Sequence, residues 1–141
     1  MTATAGLGEY KKVQVGTSEQ GKLVLMLYEG AISRLEKAKE ALSAGDMLGK
    51  GEHILRAQDI LMELLMALDP SAGEIAGNLQ SLYLFMYRHL NEANLLKSQR
   101  HLEEVLRILR SLRDAWEEVV RKVSREGKQE AEVQDAVAVF A

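Results

Sequence analysis

The chain has 141 residues, with 18 Lys and Arg against 21 Asp and Glu, for a formal net charge of −3. That length suits one domain with a sizeable core, and the slightly acidic balance gives no general pull toward nucleic acid. There is no Cys, which excludes disulfides, thiolate metal sites and Cys nucleophiles. A single Pro and a wealth of Leu, Ala, Glu, Lys and Arg favour helix throughout. Residues 1–20 carry no apolar run of signal-peptide length, and no later stretch is long enough to span a bilayer. The expected location is therefore the cytoplasm, without membrane insertion.

Residues 1–16 are small, polar and Gly-containing, with Leu7, Tyr10, Val13 and Val15 scattered among them. They read as an N-terminal arm that packs Tyr10 and Val13 on the body, with a free tail as the alternative. Thr17 followed by Gln20 fits a capping box, so a first helix starts there and runs to about Ala44. Its seam is Val24, Tyr28, Ala31, Leu35, Ala38 and Leu42, alternating four and three apart as in a left-handed bundle. Gly45 is the expected stop and Asp46 the next cap. The second helix runs to Leu68 with the seam Ile54, Ala57, Leu61, Leu64 and Leu68, and Asp69-Pro70 terminates it.

Ser71 with Glu74 suggests another capping box, opening a third helix from about Ala72 to Leu95. Its expected seam is Ile75, Leu79, Leu82, Met86, His89 and Ala93, with Tyr83, Phe85 and Tyr87 widening the apolar arc. Ser98 caps a fourth helix with the seam Leu102, Val105, Leu109, Leu112, Trp116, Val119 and Val123, ended by Gly127. Short connections force antiparallel neighbours, so residues 17–126 are expected to form an all-α, up-down-up-down four-helix bundle. The tail, 127–141, carries the stripe Val133, Ala136, Val137, Phe140 on a segment too short to be a stable helix alone. It is either disordered or docked on the bundle, where it would occupy a binding groove in the empty protein.

Little here suggests catalysis. A di-iron bundle needs Glu-x-x-His pairs, but Lys50, Met86 and Ser98 stand three before the histidines. His89 is the one polar seam residue, and His53 and His101 read as surface positions. No catalytic residue, cofactor or metal ligand is expected. Arg107, Arg110 and Arg113 recur on the fourth helix, but Glu103, Glu104, Asp114, Glu117 and Glu118 interleave with them, giving a salt-bridged face rather than a nucleic-acid surface.

The apolar surplus is more informative. The run Leu23 to Tyr28 is apolar on more than one side, and Leu55, Met62, Leu65 and Met66 lie off the second seam, with Ile60 on a further side. A bundle helix needs one stripe toward its core. Adaptable Met and Leu outside that stripe suit a surface that repacks against a partner helix. A wide core with a homodimer face is the competing explanation.

Several of these stretches resemble the flagellin-specific export chaperones, the FliS family. The likeness runs through Tyr10, Val13 and Thr17, then Leu25-Met26-Leu27-Tyr28-Glu29-Gly30-Ala31-Ile32 and Lys37-Ala38-Lys39. It continues in Ala57-Gln58-Asp59-Ile60-Leu61-Met62-Glu63-Leu64, Gly73-Glu74-Ile75-Ala76-Gly77-Asn78-Leu79, Leu82-Tyr83, Met86-Tyr87-Arg88, Leu90 and Ala93-Asn94. It closes with Leu109-Arg110-Ser111-Leu112-Arg113-Asp114-Ala115-Trp116. Where the family often has Ala-Ser-Pro after the matching Thr, this chain has Ser18-Glu19-Gln20, and the tail after Gly127 matches no family pattern.

The resemblance implies a four-helix bundle capped by the N-terminal arm. It implies binding of the disordered C-terminal segment of flagellin, which prevents premature polymerisation and delivers flagellin to the type III export apparatus. An export-gate component is a further candidate partner. The expected client-binding residues are Tyr10, Val13, Leu23, Leu27, Ile60, Met62, Leu65 and Met66, while Tyr28, Leu61, Leu79, Leu82, Leu109, Leu112 and Trp116 read as core. The alternative function is a helical adaptor, or a homo-oligomer, that ignores flagellin.

Overall fold

The computed structural model describes residues 19–125 and 138–140, with positions 123–125 as backbone only. Among these residues there are four long helices and no strand. They are α1 (Gln20–Ser43), α2 (Met47–Ala67), α3 (Glu74–Leu96) and α4 (Gln99–Arg125). Each helix packs on its chain neighbour and α4 returns to α1, which closes an antiparallel four-helix bundle. The arm at 1–16, with the Thr17 cap, lies outside the described residues.

The turns follow their local chemistry. Gly45 has φ +77°, and the amides of Gly45 and Asp46 donate to the carbonyls of Leu42 and Ala41. This left-handed exit satisfies the last carbonyls of α1. Asp46 caps α2 through a 2.9 Å bond from the Gly49 amide, and Ser98 caps α4 by accepting from the His101 amide.

The third cap differs from expectation. Asp69 Oδ1 accepts from both the amide and the hydroxyl of Ser71. Ser71 is thereby held in a 3-10 turn, Pro70–Ala72, and α3 starts at Glu74 behind Gly73 with no side-chain cap.

The core holds most of the expected seams of α1, α2 and α4, with Ile32, Leu106 and Val120 added. Leu42, Leu68 and Val119 are half-buried against it, and the Val123 side chain lies outside the described residues. The α3 seam is a correction. Its buried residues are Ala76, Tyr83, Met86, Leu90 and Ala93. Ile75 is exposed, and Leu79 and Leu82 are half-buried, as is Leu112 opposite. The helix is rotated so that Tyr83, not Leu82, meets the centre. There its hydroxyl lies 2.5 Å from that of Tyr28 on the diagonal helix.

Two buried polar residues set the register of α2 on α3. Gln58 Nε2 donates to the Tyr87 carbonyl and to Asn91 Oδ1 at 3.0 and 2.8 Å, and Lys50 Nζ donates to the Asn94 carbonyl at 2.9 Å. Buried amide and ammonium groups require such partners. Gln58, part of the family-like run, thus serves helix packing.

The end of the tail is docked. Val139 and Phe140 are each 2% exposed. The Asp69 amide donates to the Val139 carbonyl at 2.7 Å, and Gln20 Nε2 donates to the Phe140 carbonyl at 2.8 Å. Phe140 meets Trp116 edge to face. Trp116 Nε1 in turn donates to the Gly21 carbonyl at 2.7 Å. Val133, Ala136 and Val137 lie outside the described residues.

Candidate binding surface

The expected surface residues fall into two groups on opposite flanks of α2. Leu23, Leu27 and Gly30 share the flank of α1 that faces α2, at i, i+4 and i+7. Ile60 meets this flank at Gly30, where an added Cβ would touch its Cδ1 at 3.4 Å. Gly30 therefore lets the two helices approach closely. Leu23 remains over half exposed, and Leu27 and Ile60 are half-buried against the core.

The second group faces α3. Leu65 lines a cavity of about 150 Å³ with Leu68, Pro70, Gly73, Ala76, Gly77 and Gln80. Met62 and Met66, three before and one after Leu65 on α2, are exposed, Met66 by 80%. Leu55, two turns before Met62, extends this strip. Tyr10 and Val13 lie outside the described residues.

A third feature escaped the sequence reading. Leu82, Ile108 and Leu112, with Arg107 and Ser111, line an open groove between α3 and α4. Leu82 and Leu112 had the spacing of core residues. The signal that separates them is Tyr83, whose bulk fits the centre and turns its neighbour outward. Apolar side chains left open along two helix–helix grooves, with Met among them, form a surface suited to amphipathic helices.

Polar groups on this surface pair with each other. Lys39 bridges to Glu103 and Arg110 to Glu36 at 3.0 Å, both joining α1 to α4. Arg113 and Arg121 pair with Asp114 and Glu117 along α4. Arg110 and Arg113 of the arginine stripe are thus ion-paired, while Arg107 lines the α3–α4 groove. His89 sits beside the α3 seam, not in it. Its Nε2 is 2.7 Å from Glu104 Oε2, which holds the Glu104 carboxyl below the usual carboxylate range.

No helix among the described residues is long and apolar enough to cross a membrane. The architecture defines a class: a helical bundle with apolar inter-helix grooves on its outside. The family follows from comparison. The model for "Flagellar protein FliS" matches residues 3–123, and the chain belongs to that family. It is 36% identical to the "Flagellar secretion chaperone FliS" of Vibrio cholerae over 118 residues, 80% of this chain and 87% of the relative. It is also 36% identical to the protein of that name from Salmonella typhimurium over 130 residues, 88% of this chain and 96% of the relative. For Bacillus subtilis the figure is 33% over 112 residues, 79% and 84%. These relatives carry a chaperone's name, not an enzyme's.

Proposed function

We propose that this chain is a cytoplasmic export chaperone for flagellin, binding its disordered C-terminal segment, preventing premature polymerisation and handing the client to the flagellar export apparatus. Family membership supports the chaperone role. The observation that carries the binding mode is the strip Leu55, Met62, Leu65 and Met66 beside the α2–α3 cavity, with Leu82, Ile108 and Leu112 on the next groove. A disordered client supplies short amphipathic helices, and these grooves receive their apolar faces. Ordering the client costs part of the interaction energy, which keeps the complex reversible enough to release at export.

Leu23, Leu27 and Ile60 form a second contact region on the other side of α2, and Tyr10 and Val13, outside the described residues, are further client contacts. The docked Val139-Phe140 segment occupies one end of the bundle, beside Gln20 and Asp69, and competes with the client there. An export-gate component is the second partner. The test is co-purification of this chain with full-length flagellin from the same organism, together with its effect on filament growth in vitro. A soluble complex that stops polymerisation is expected. Free flagellin and normal filament growth in excess chaperone would refute the proposal.

A further inference from the structure

Two His-x-x-Glu pairs face each other across the α3–α4 turn. His89 and Glu92 stand on the last turns of α3, and His101 and Glu104 on the first turns of α4. The spacing is the reverse of the Glu-x-x-His order that bundle metal sites use, so a search for that order passes over it. The imidazoles stack with centroids 4.3 Å apart, and Phe85 stacks on the outer face of His89 at 5.0 Å. Glu92 Oε2 lies 3.2 Å from His101 Nε2 and 3.9 Å from His89 Nδ1. One ligand atom from each of the three residues falls within 4.8 Å of the others.

We propose that His89 Nδ1, Glu92 and His101 Nε2 bind a divalent transition ion of the Zn²⁺ type. Two imidazoles and one carboxylate are a recurrent zinc donor set, and a fourth position is left open to solvent. With bonds of about 2.0–2.1 Å, tetrahedral donors stand about 3.3 Å apart. The Glu92–His101 separation already meets that, and the His89–Glu92 separation needs a contraction of roughly 0.6 Å. The two ring nitrogens, within 4.8 Å of each other, reach it as the imidazoles swing out of their stack so that both in-plane lone pairs face the ion.

The outer partners are the stronger argument. A metal-bound imidazole keeps its orientation because its other nitrogen donates to a carboxylate, carbonyl or hydroxyl. Glu104 Oε2 holds His89 Nε2 at 2.7 Å, which leaves Nδ1 as the free lone pair. Ser98 Oγ, fixed by its capping bond to the His101 amide, holds His101 Nδ1 at 2.7 Å, which leaves Nε2 free. Both free nitrogens lie toward Glu92. Without the ion, the Nε2–H tautomer of His101 donates to Glu92 while its Nδ1 accepts from the Ser98 hydroxyl. On binding, the ring proton sits on Nδ1, which then donates to Ser98 Oγ, and the ion takes the Nε2 lone pair. Bound there, it ties the end of α3 to the start of α4 across the Lys97–Ser98 turn.

The test is calorimetric titration of the full chain, without a polyhistidine tag, with Zn²⁺. Co²⁺ absorption reports the ligand set. The expected result is one ion per chain, with tetrahedral Co²⁺ bands and a raised melting temperature. Glu92→Gln and His101→Gln abolish that binding, and Glu104→Gln weakens it about 10- to 100-fold. His53→Gln leaves it unchanged, since His53 pairs with Arg34 on another face. The Glu92 side chain is 60% exposed, so its variant keeps the fold. No stoichiometric uptake by the natural chain would overturn the proposal. So would uptake by a helical Glu92→Gln/His101→Gln double variant equal to that of the natural chain.

Discussion

Phe140 sets its ring edge against Trp116, centroids 5.5 Å apart at 73°, and so joins the end of the tail to α4. An edge-to-face pair contributes about 0.5–1.5 kcal/mol beyond its buried area. The bonds from the Asp69 backbone amide and the Gln20 side-chain amide to the tail's carbonyls add to this. If the docked tail shields client surface, its release improves the apparent affinity, because the competent state no longer has to be generated. Phe140→Ala should tighten flagellin-peptide binding by up to about tenfold, equivalent to about 1.4 kcal/mol of docking. Trp116 fluorescence monitors the undocking, and equal affinities in a variant with a shifted Trp signal would place the client elsewhere.

The Tyr28–Tyr83 hydroxyl pair at the bundle centre predicts an asymmetric mutational response. Tyr83→Phe strands the Tyr28 hydroxyl and should cost about 1–3 kcal/mol, whereas the double Phe variant should be closer to neutral. Equilibrium denaturation of the three variants checks this. A double variant less stable than both singles would contradict it.

The same pair fixes an alkaline limit. Burial pushes the Tyr28 hydroxyl up to about 12 and raises Tyr83 as well. Below the ordinary tyrosine range both states are neutral and stability is unaffected. Above it the unfolded chain ionises while the folded chain does not, so stability falls as pH rises from about 10 toward 12. Denaturant midpoints across this range should drop more steeply in the natural chain than in the double Phe variant.

Gln58 is a packing residue despite its polarity. Gln58→Ala leaves the Tyr87 carbonyl and Asn91 without their donor and should destabilise the bundle by about 1–3 kcal/mol. Client affinity of the folded fraction should not change. A loss of affinity at full stability would put Gln58 on the binding surface instead.

The architecture was legible in the sequence because its cues are local. The left-handed exit at Gly45, the caps at Asp46 and Ser98, and the alternating seams of α1, α2 and α4 each depend on a few neighbouring residues. The α3 seam was not legible to the same degree. Ile75, Leu79 and Leu82 have core spacing and core character, and only the diagonal pairing of Tyr83 with Tyr28 shows that the helix turns the other way. Asp69 taking Ser71 is a similar case of two equally good local partners competing. Among the surface residues, Leu23, Met62 and Met66 were readable as off-seam. Their division between two flanks of α2 needed the positions of α1 and α3.

Solvent-exposed Met66 separates binding from folding. Met66→Lys should leave stability within about 0.5 kcal/mol, since the side chain is 80% exposed. It should weaken client binding by placing a charge in an apolar groove. Leu61→Lys, buried in the core, should unfold the bundle and serves as the contrast.

Calorimetric titration with a peptide of the C-terminal segment of the same organism's flagellin tests the central claim most directly. The account predicts one-to-one binding, a negative heat-capacity change from buried apolar surface, and a gain of helix on mixing. A folded chaperone and a soluble peptide that show no heat and no added helicity would contradict it, and would turn attention to self-association of the same apolar strip.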